Sequence, residues 1–103
     1  MIREVKQEEF EEIVKEGFHI VDFYGTTCMP CKQLAKVLEE IDKEVPQLSI
    51  IKINIDENRD VVSKFDIMSV PTILFYKDGI IIERKIGLMP KMEIFGLIGE
   101  NMY

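Results

Sequence analysis

The sequence contains no tryptophan, only one histidine, and only two cysteines, Cys28 and Cys31. Small secreted folds that are held by disulfides need several bridges spread along the chain, so two thiols this close together exclude that class. Two cysteines also cannot complete a four-ligand zinc site by themselves. We therefore expect no bound metal, and we interpret His19 as a structural or surface residue.

The chain also lacks a long hydrophobic run and an excess of positive charge. No apolar stretch approaches the roughly 20 residues that a membrane-spanning helix needs. The opening residues, MIREVKQEEF, are charged rather than apolar, so neither a signal peptide nor a membrane anchor is predicted. The formal net charge is -6, whereas binding to phosphates starts from a basic face. We expect neither a nucleic acid nor a membrane as a partner.

The length of the chain and its composition predict one domain. The chain has 103 residues, of which 47% are hydrophobic and 31% are charged, a balance that argues against disorder. No segment repeats, and no stretch rich in proline, glycine or serine marks a linker. We expect residues 1–103 to form a single domain built around one small core.

Hydrophobic periodicity predicts alternating helices and strands with short connections. Apolar residues at helical spacing indicate amphipathic helices, and nearly unbroken apolar runs indicate strands covered on both faces. Asp56 and Asn58 are expected to cap a short third helix. The predicted helices cover residues 7–16, 30–45 and 61–65 and a segment after Pro90, and the predicted strands cover residues 18–24, 48–55, 72–76 and 80–86.

The order of these segments predicts an α/β fold with a mixed sheet. A strand, a helix and a strand of this length imply a parallel pair joined by a right-handed crossover. The last two strands flank Lys77-Asp78-Gly79, whose Asp-Gly dipeptide is typical of a hairpin. We therefore expect a central sheet with a parallel half and an antiparallel hairpin, flanked by helices on both faces.

The segment Cys28-Met29-Pro30-Cys31 lies between the end of the first buried strand and the start of the second helix. Unpaired backbone N–H groups and the positive end of the helix dipole favour a thiolate at this position. Cys28 is therefore the expected nucleophile, and Cys31, on the first helical turn, can close or reopen a disulfide with it. The alternative is a pair of inert buried thiols.

Several separated motifs are similar to those of thioredoxins in order and spacing. They are Val21-Asp22-Phe23-Tyr24, Cys28-Met29-Pro30-Cys31-Lys32, Lys52-Ile53-Asn54-Ile55-Asp56, Val70-Pro71-Thr72 and Lys77-Asp78-Gly79. The whole chain thus resembles the thioredoxin family. The resemblance implies the thioredoxin fold and a thiol–disulfide oxidoreductase that reduces protein disulfides. Where the family commonly has tryptophan and glycine around the first cysteine, this chain has Thr27 and Met29.

The resemblance implies that Asp22 accepts the proton of Cys31. Asp22 stands inside an apolar strand, where desolvation raises the pKa of a carboxyl toward neutrality. An aspartate at a strand edge that faces water is the alternative. Lys52 resembles the family's lysine near this aspartate, although a lysine that extends into solvent fits the same spacing.

The resemblance also implies a surface that binds substrates next to the cysteines. Pro71 corresponds to the family's cis-proline, which would turn the backbone of Val70 toward the thiols and toward an extended substrate segment. Gly87 matches a glycine that lets a substrate backbone approach closely. Met29 and Pro30 are expected to add apolar contact area.

The expected partners and surroundings follow from the same resemblance. They are protein disulfide substrates and an electron donor of the thioredoxin-reductase type. The redox-active disulfide needs no further cofactor. We expect a monomer in the cytoplasm, since a reducing compartment suits a reductant without an export signal.

Two other functions are compatible with the motifs. A disulfide oxidant or isomerase would use the same cysteines in the opposite direction. A thioredoxin-fold binding module could instead bridge an iron–sulfur cluster or a zinc ion between two chains through these cysteines.

Overall fold

The computed structural model describes the whole chain, Met1–Tyr103, and contains five strands and four helices. None of the helices combines the length and the apolar character needed to cross a membrane. The elements in chain order are β1 (Ile2–Glu4), α1 (Gln7–Ile13), β2 (Phe18–Tyr24), α2 (Met29–Glu44), β3 (Ser49–Asn54), α3 (Asp60–Lys64), β4 (Thr72–Lys77), β5 (Ile80–Ile86) and α4 (Lys91–Asn101).

The strands form one mixed sheet in the order β1-β3-β2-β4-β5. Strand β3 is parallel to both of its neighbours, β1 and β2. Strand β4 is antiparallel to β2 and forms the predicted hairpin with β5. The predicted α/β architecture, with a parallel half and an antiparallel hairpin, is confirmed.

Each face of the sheet carries its own hydrophobic core. Side chains alternate along a strand, so Ile20 of β2 packs on one face and Val21 and Phe23 pack on the other. Helices α2 and α4 cover the first face, and α1 and α3 cover the second. This two-sided burial explains why β2 is apolar along most of its length.

The hairpin turn at Asp78 and Gly79 adopts positive φ angles, 50° and 84°. Two central residues with positive φ match the twist of an antiparallel pair. The turn also contacts the end of the first helical segment, because the Gly17 N–H donates to Asp78 Oδ1 at 2.8 Å and the Gly79 N–H donates to Val14 O at 2.9 Å.

Strand β1 was not predicted. Its three residues, Ile2–Glu4, pair with β3 along the edge of the sheet and are only partly buried or exposed. A segment this short shows no measurable periodicity, and its charged residues suggest a solvated terminus. Only pairing with a distant strand makes it part of the sheet.

The predicted caps of α3 are wrong. Arg59 is the N-cap residue, without a side-chain hydrogen bond, and the Val61 N–H donates instead to Gln7 Oε1 of α1 at 3.2 Å. Asn58 Oδ1 accepts from the Gln7 N–H at 3.0 Å, and Asp56 supports the loop before Cys28. Tertiary partners thus replace the local caps that the sequence favours. Helix α1 is also shorter than expected and ends at Ile13.

Candidate active site

The two cysteines lie where β2 leads into α2, as the sequence predicts, and they form a disulfide. Their Cα atoms are 5.2 Å apart. Cys28 is the N-cap residue of α2, and its sulfur accepts a hydrogen bond from the Cys31 N–H at 3.2 Å. Pro30 lies in the first turn, where a proline costs no helical hydrogen bond. The helix thus begins at the reactive pair.

The two sulfur-bearing side chains differ in exposure. Cys28 is half-buried, whereas Cys31 is only 3% exposed. Cys31 continues the apolar stripe of α2 that includes Leu34 and Leu38, both of which pack into the core beneath the helix. An incoming group can therefore reach Cys28 but not Cys31.

A polar network holds the loop that precedes Cys28. The Thr26 N–H donates to Asp56 Oδ2 at 2.8 Å, and the Asn54 side-chain amide donates to Thr26 Oγ1 at 3.1 Å. The hydrogen bond from the Thr26 backbone is the main reason that the pKa of Asp56 is lowered. This supporting role of Asn54 and Asp56 was not predicted from the sequence. Their position at the end of β3 could have indicated this role, because the carboxyl ends of parallel strands meet at one edge of a sheet.

The segment before β4 approaches the exposed cysteine. The Val70–Pro71 peptide bond is cis, the isomer that the family resemblance implies. The carbonyl oxygen of Val70 lies 3.7 Å from Cys28 Sγ. A Cβ atom at Gly25 would lie 3.4 Å from Val70 Cγ2 and 3.7 Å from Cys28 Cβ, so a small residue suits this position. Pro71 is buried and Val70 is half-buried.

Gly87 belongs to the same cluster. Its N–H donates to the carbonyl of Pro71 at 2.8 Å, and its φ is +89°. No atom beyond its chain neighbours lies within 4 Å of an added Cβ, so the glycine leaves open space beside the proline. The structure thus brings Cys28, Val70, Pro71 and Gly87 together at one end of the sheet.

Exposed methionines flank this cluster. Met29 is 63% exposed and Met68 is 83% exposed, and Pro30 is exposed as well. Met68 was missed by the sequence analysis, although it is an apolar residue in a short connection two positions before Val70. Methionine side chains are flexible and adapt to different partners.

Asp22 is fully buried on the sheet face that α2 covers. It lies two residues after Ile20, which packs into the core on this face. Neither carboxyl oxygen has a hydrogen-bond partner. Burial therefore raises the pKa of Asp22 to about 7, against a smaller opposite effect of the Lys52 ammonium. The carboxyl is in a position to exchange a proton near neutral pH.

Lys52 is the direct neighbour of Asp22 across β2 and β3. Asp22 nevertheless has no hydrogen-bond partner, and Lys52 forms no salt bridge. The Lys52 ammonium instead lies 4.6 Å from the centre of the Tyr24 ring. Lys52 acts on Asp22 through its electric field and not through contact.

His19 lies away from the cysteines at the opposite end of β2. Its Nδ1 is 2.7 Å from Ser49 Oγ and its Nε2 is 2.7 Å from the carbonyl of Glu16. Both ring nitrogens are thus engaged in hydrogen bonds within the fold. No group of three or more His, Cys, Asp or Glu side chains is arranged to hold a metal ion.

Comparison with known proteins agrees with this geometry. The sequence model of the Thioredoxin family matches residues 1–100. The chain is 41% identical to a thioredoxin of Listeria monocytogenes over 97% of its own length and 98% of that protein. It is 39% identical to a thioredoxin of Bacillus subtilis over 90% of each chain. Among solved structures it resembles a mutant thioredoxin from Halobacterium salinarum, with a TM-score of 0.88, 27% identity, and coverage of 99% of this chain and 91% of the other.

A closely spaced cysteine pair at the start of a helix, on this fold, defines a thiol–disulfide oxidoreductase. The chain belongs to the thioredoxin family. It reduces protein disulfides by dithiol–disulfide exchange through Cys28 and Cys31. These findings do not favour a binding module, a cluster-bridging subunit or a disulfide oxidant.

Proposed function

We propose that Cys28 attacks the substrate disulfide and that Cys31 resolves the mixed disulfide. The Cys28 thiolate forms a bond to one substrate sulfur while the other substrate sulfur leaves as a thiolate. Cys31 then loses its proton and attacks Cys28 Sγ, which releases the second substrate thiolate and leaves the Cys28–Cys31 disulfide. The observation that carries this assignment is the difference in exposure, half-buried for Cys28 and 3% for Cys31.

Asp22 is the proposed proton acceptor for Cys31. Both side chains face the space between α2 and the sheet, Asp22 from β2 and Cys31 as part of the buried stripe of the helix. A carboxyl with a pKa of about 7 is divided between its two forms near neutral pH, so it can take up and return a proton. Lys52 is proposed to moderate the proton affinity of this carboxyl.

The surface around Cys28 is proposed to bind an extended segment of the substrate. The Val70 carbonyl lies next to the sulfur and offers a hydrogen-bond acceptor to a substrate backbone. Gly87, held against Pro71, leaves room for close approach of that backbone. Met29 and Pro30 would add apolar contact.

We infer the substrates, the electron donor and the cellular compartment from the same assignment. The substrates are protein disulfides, and a reductase of the thioredoxin-reductase type restores the dithiol. The disulfide is proposed to be the only redox group, with no metal and no nucleic-acid or membrane partner. Residues 1–103 are proposed to form one domain that works as a monomer in the cytoplasm. One continuous sheet shared by both cores supports the single domain.

The roles of the two cysteines are tested by replacing each with serine. Cys31→Ser should accumulate a mixed disulfide with a protein substrate, since no second thiol is present to release it. Cys28→Ser should lower the reduction of insulin disulfides to the uncatalysed level. Mass spectrometry of the trapped species and a turbidity assay are the two measurements. Full activity of Cys28→Ser, or a substrate attached to Cys31 in the parent protein, would contradict the assignment.

A further inference from the structure

Three charged residues stand in one row across the parallel half of the sheet. Glu4 of β1 pairs with Lys52 of β3, and Lys52 pairs with Asp22 of β2. Residues paired in this way place their side chains on the same face of the sheet, about 5 Å apart per strand. Lys52 therefore has an acidic residue as its neighbour on each side, the buried Asp22 and the exposed Glu4.

The side chain of Tyr24 connects the outer members of this row. Tyr24 follows Asp22 by two residues, so it lies on the same face. Its hydroxyl donates a hydrogen bond to Glu4 Oε1 on the far side of β3. Its ring thus extends across β3, and the Lys52 ammonium rests 4.6 Å from the ring centre. An ammonium at this distance is attracted to the face of the ring.

The position of the ammonium requires an explanation. Asp22 is the direct neighbour of Lys52 and has no hydrogen-bond partner, yet no salt bridge joins the two. An isolated carboxylate in an apolar site would attract a nearby ammonium strongly. The attraction of the ring and of the Glu4 carboxylate acts in the opposite direction, toward the rim of the sheet.

We propose that Glu4, together with Tyr24, is a positioning residue that holds the Lys52 ammonium at the rim of the sheet and away from Asp22, so that the Asp22 carboxyl keeps its proton more readily. The proposal rests on the proposed role of Asp22 as proton acceptor. It adds to that role a group in β1, the edge strand that pairs with β3.

The charged groups that act on Asp22 are Lys52 and Glu4, because its other neighbours are uncharged. On the β4 side its neighbour is Ile73, which is apolar. The buried stripe of α2 faces it with Cys31 and with leucines, and in the oxidised protein Cys31 does not titrate. The charges that act on the pKa of Asp22 are those of Lys52, which lowers it, and Glu4, which raises it.

The test follows the titration of the Asp22 carboxyl carbon by NMR in the oxidised full-length protein. Glu4→Gln removes the negative charge but keeps an oxygen that can accept from the Tyr24 hydroxyl. We expect it to lower the midpoint of the Asp22 titration by about half a pH unit or more. Glu57→Gln is the matched control, because Glu57 is an exposed carboxylate on the same rim as Glu4 and Tyr24. It should leave the midpoint unchanged.

The Lys52→Met variant distinguishes an effect of Glu4 that acts through the lysine from a direct electrostatic effect of Glu4 on Asp22. Lys52→Met should raise the midpoint, since it removes the only cation beside Asp22. In the Lys52→Met protein, Glu4→Gln should shift the midpoint by less than half as much as in the parent. This reduction is expected only if Glu4 acts through the lysine.

Three results would overturn the proposal. They are an unchanged midpoint in Glu4→Gln, an equal shift in Glu57→Gln, or an equal effect of Glu4→Gln with and without Lys52. The titration does not depend on what Asp22 does in the reaction. That role is tested separately by the rate at which Asp22→Asn resolves a mixed disulfide, so failure of the one proposal can be told from failure of the other.

Discussion

The carboxyl group of Asp22 lies in an apolar region and forms no hydrogen bond. The residue is fully buried, and both of its oxygens lack hydrogen-bond partners. Burial of this kind destabilises the ionised form much more than the neutral form. The folded protein therefore holds the proton to a higher pH than the unfolded chain does, and its stability depends on pH in a defined direction.

We predict that Asp22→Asn removes this dependence. The pKa of Asp22 is raised from 3.8 in the unfolded chain to about 7 in the folded protein. Below pH 4 the folded and the unfolded state both bind the proton, so the raised pKa costs no stability there. Between pH 4 and pH 7 only the folded state keeps it, and the parent protein loses stability as the pH rises. Relative to the parent, Asp22→Asn should gain up to about 4 kcal/mol across this range.

Guanidinium unfolding at pH 4, 5.5 and 7.5 measures this difference. The control is Glu39→Gln, which removes an exposed carboxylate of α2 and should follow the parent at each pH. A constant difference between Asp22→Asn and the parent over the whole range would contradict the prediction.

The candidate site was predictable from sequence where it depends on neighbours along the chain. Cys28 and Cys31 stand between a strand pattern and a helix pattern, and the apolar run around Asp22 indicated burial. The position of Lys52 over the Tyr24 ring could not be predicted, because it depends on the pairing of strands that are far apart in sequence.

At the scale of elements, only some glycines occupy positions that require the backbone conformations open to glycine. Gly79 has a φ of +84° in the hairpin turn, a conformation that other residues rarely adopt. Gly96 lies in α4 with an exposed surface, and no other group lies within 4 Å of an added Cβ there. The two positions should therefore respond to alanine in opposite ways.

We predict that Gly79→Ala lowers the free energy of unfolding by about 1 kcal/mol, since alanine disfavours a positive φ. Gly96→Ala should raise it by about 0.5 to 1 kcal/mol, since alanine favours the helix. Urea unfolding of the two variants beside the parent measures both effects. Equal signs for the two substitutions would contradict the stated cause.

Prediction of the elements failed where contacts with distant residues decide the structure. Strand β1 exists because Ile2–Glu4 pairs with β3, and its own sequence shows no strand pattern. The cap of α3 comes from Gln7, more than fifty residues earlier in the chain. By contrast, β2 was predicted with the bounds that the structure has, because its nearly unbroken apolar run is bounded by glycines on both sides.

At the scale of the whole molecule, one sheet joins two cores. Ile41 lies in the core beneath α2 and α4, and Ile53 lies in the core beneath α1 and α3. Each core uses one face of the same strands, so the loss of either face leaves the other without its platform. A structure of this kind should unfold as one cooperative unit.

We predict that Ile41→Val and Ile53→Val each lower the free energy of unfolding by about 1 kcal/mol. Both should shift the same single transition, because neither core can melt alone. Far-ultraviolet circular dichroism and the near-ultraviolet signal of the tyrosines should give coincident curves for both variants. Two separate transitions, with each variant moving only one of them, would contradict the single domain proposed for residues 1–103.

The sequence by itself determined the order of most helices and strands, the mixed character of the sheet, and the place of the reactive thiols. These features depend on periodicity, on turn residues and on motif spacing, which are properties of neighbouring residues. Only the tertiary structure decided that Glu4 lies in line with Lys52 and Asp22 and that Asp56 holds the loop before Cys28. Contacts between strands and loops that are distant along the chain create these arrangements, and no local pattern records them.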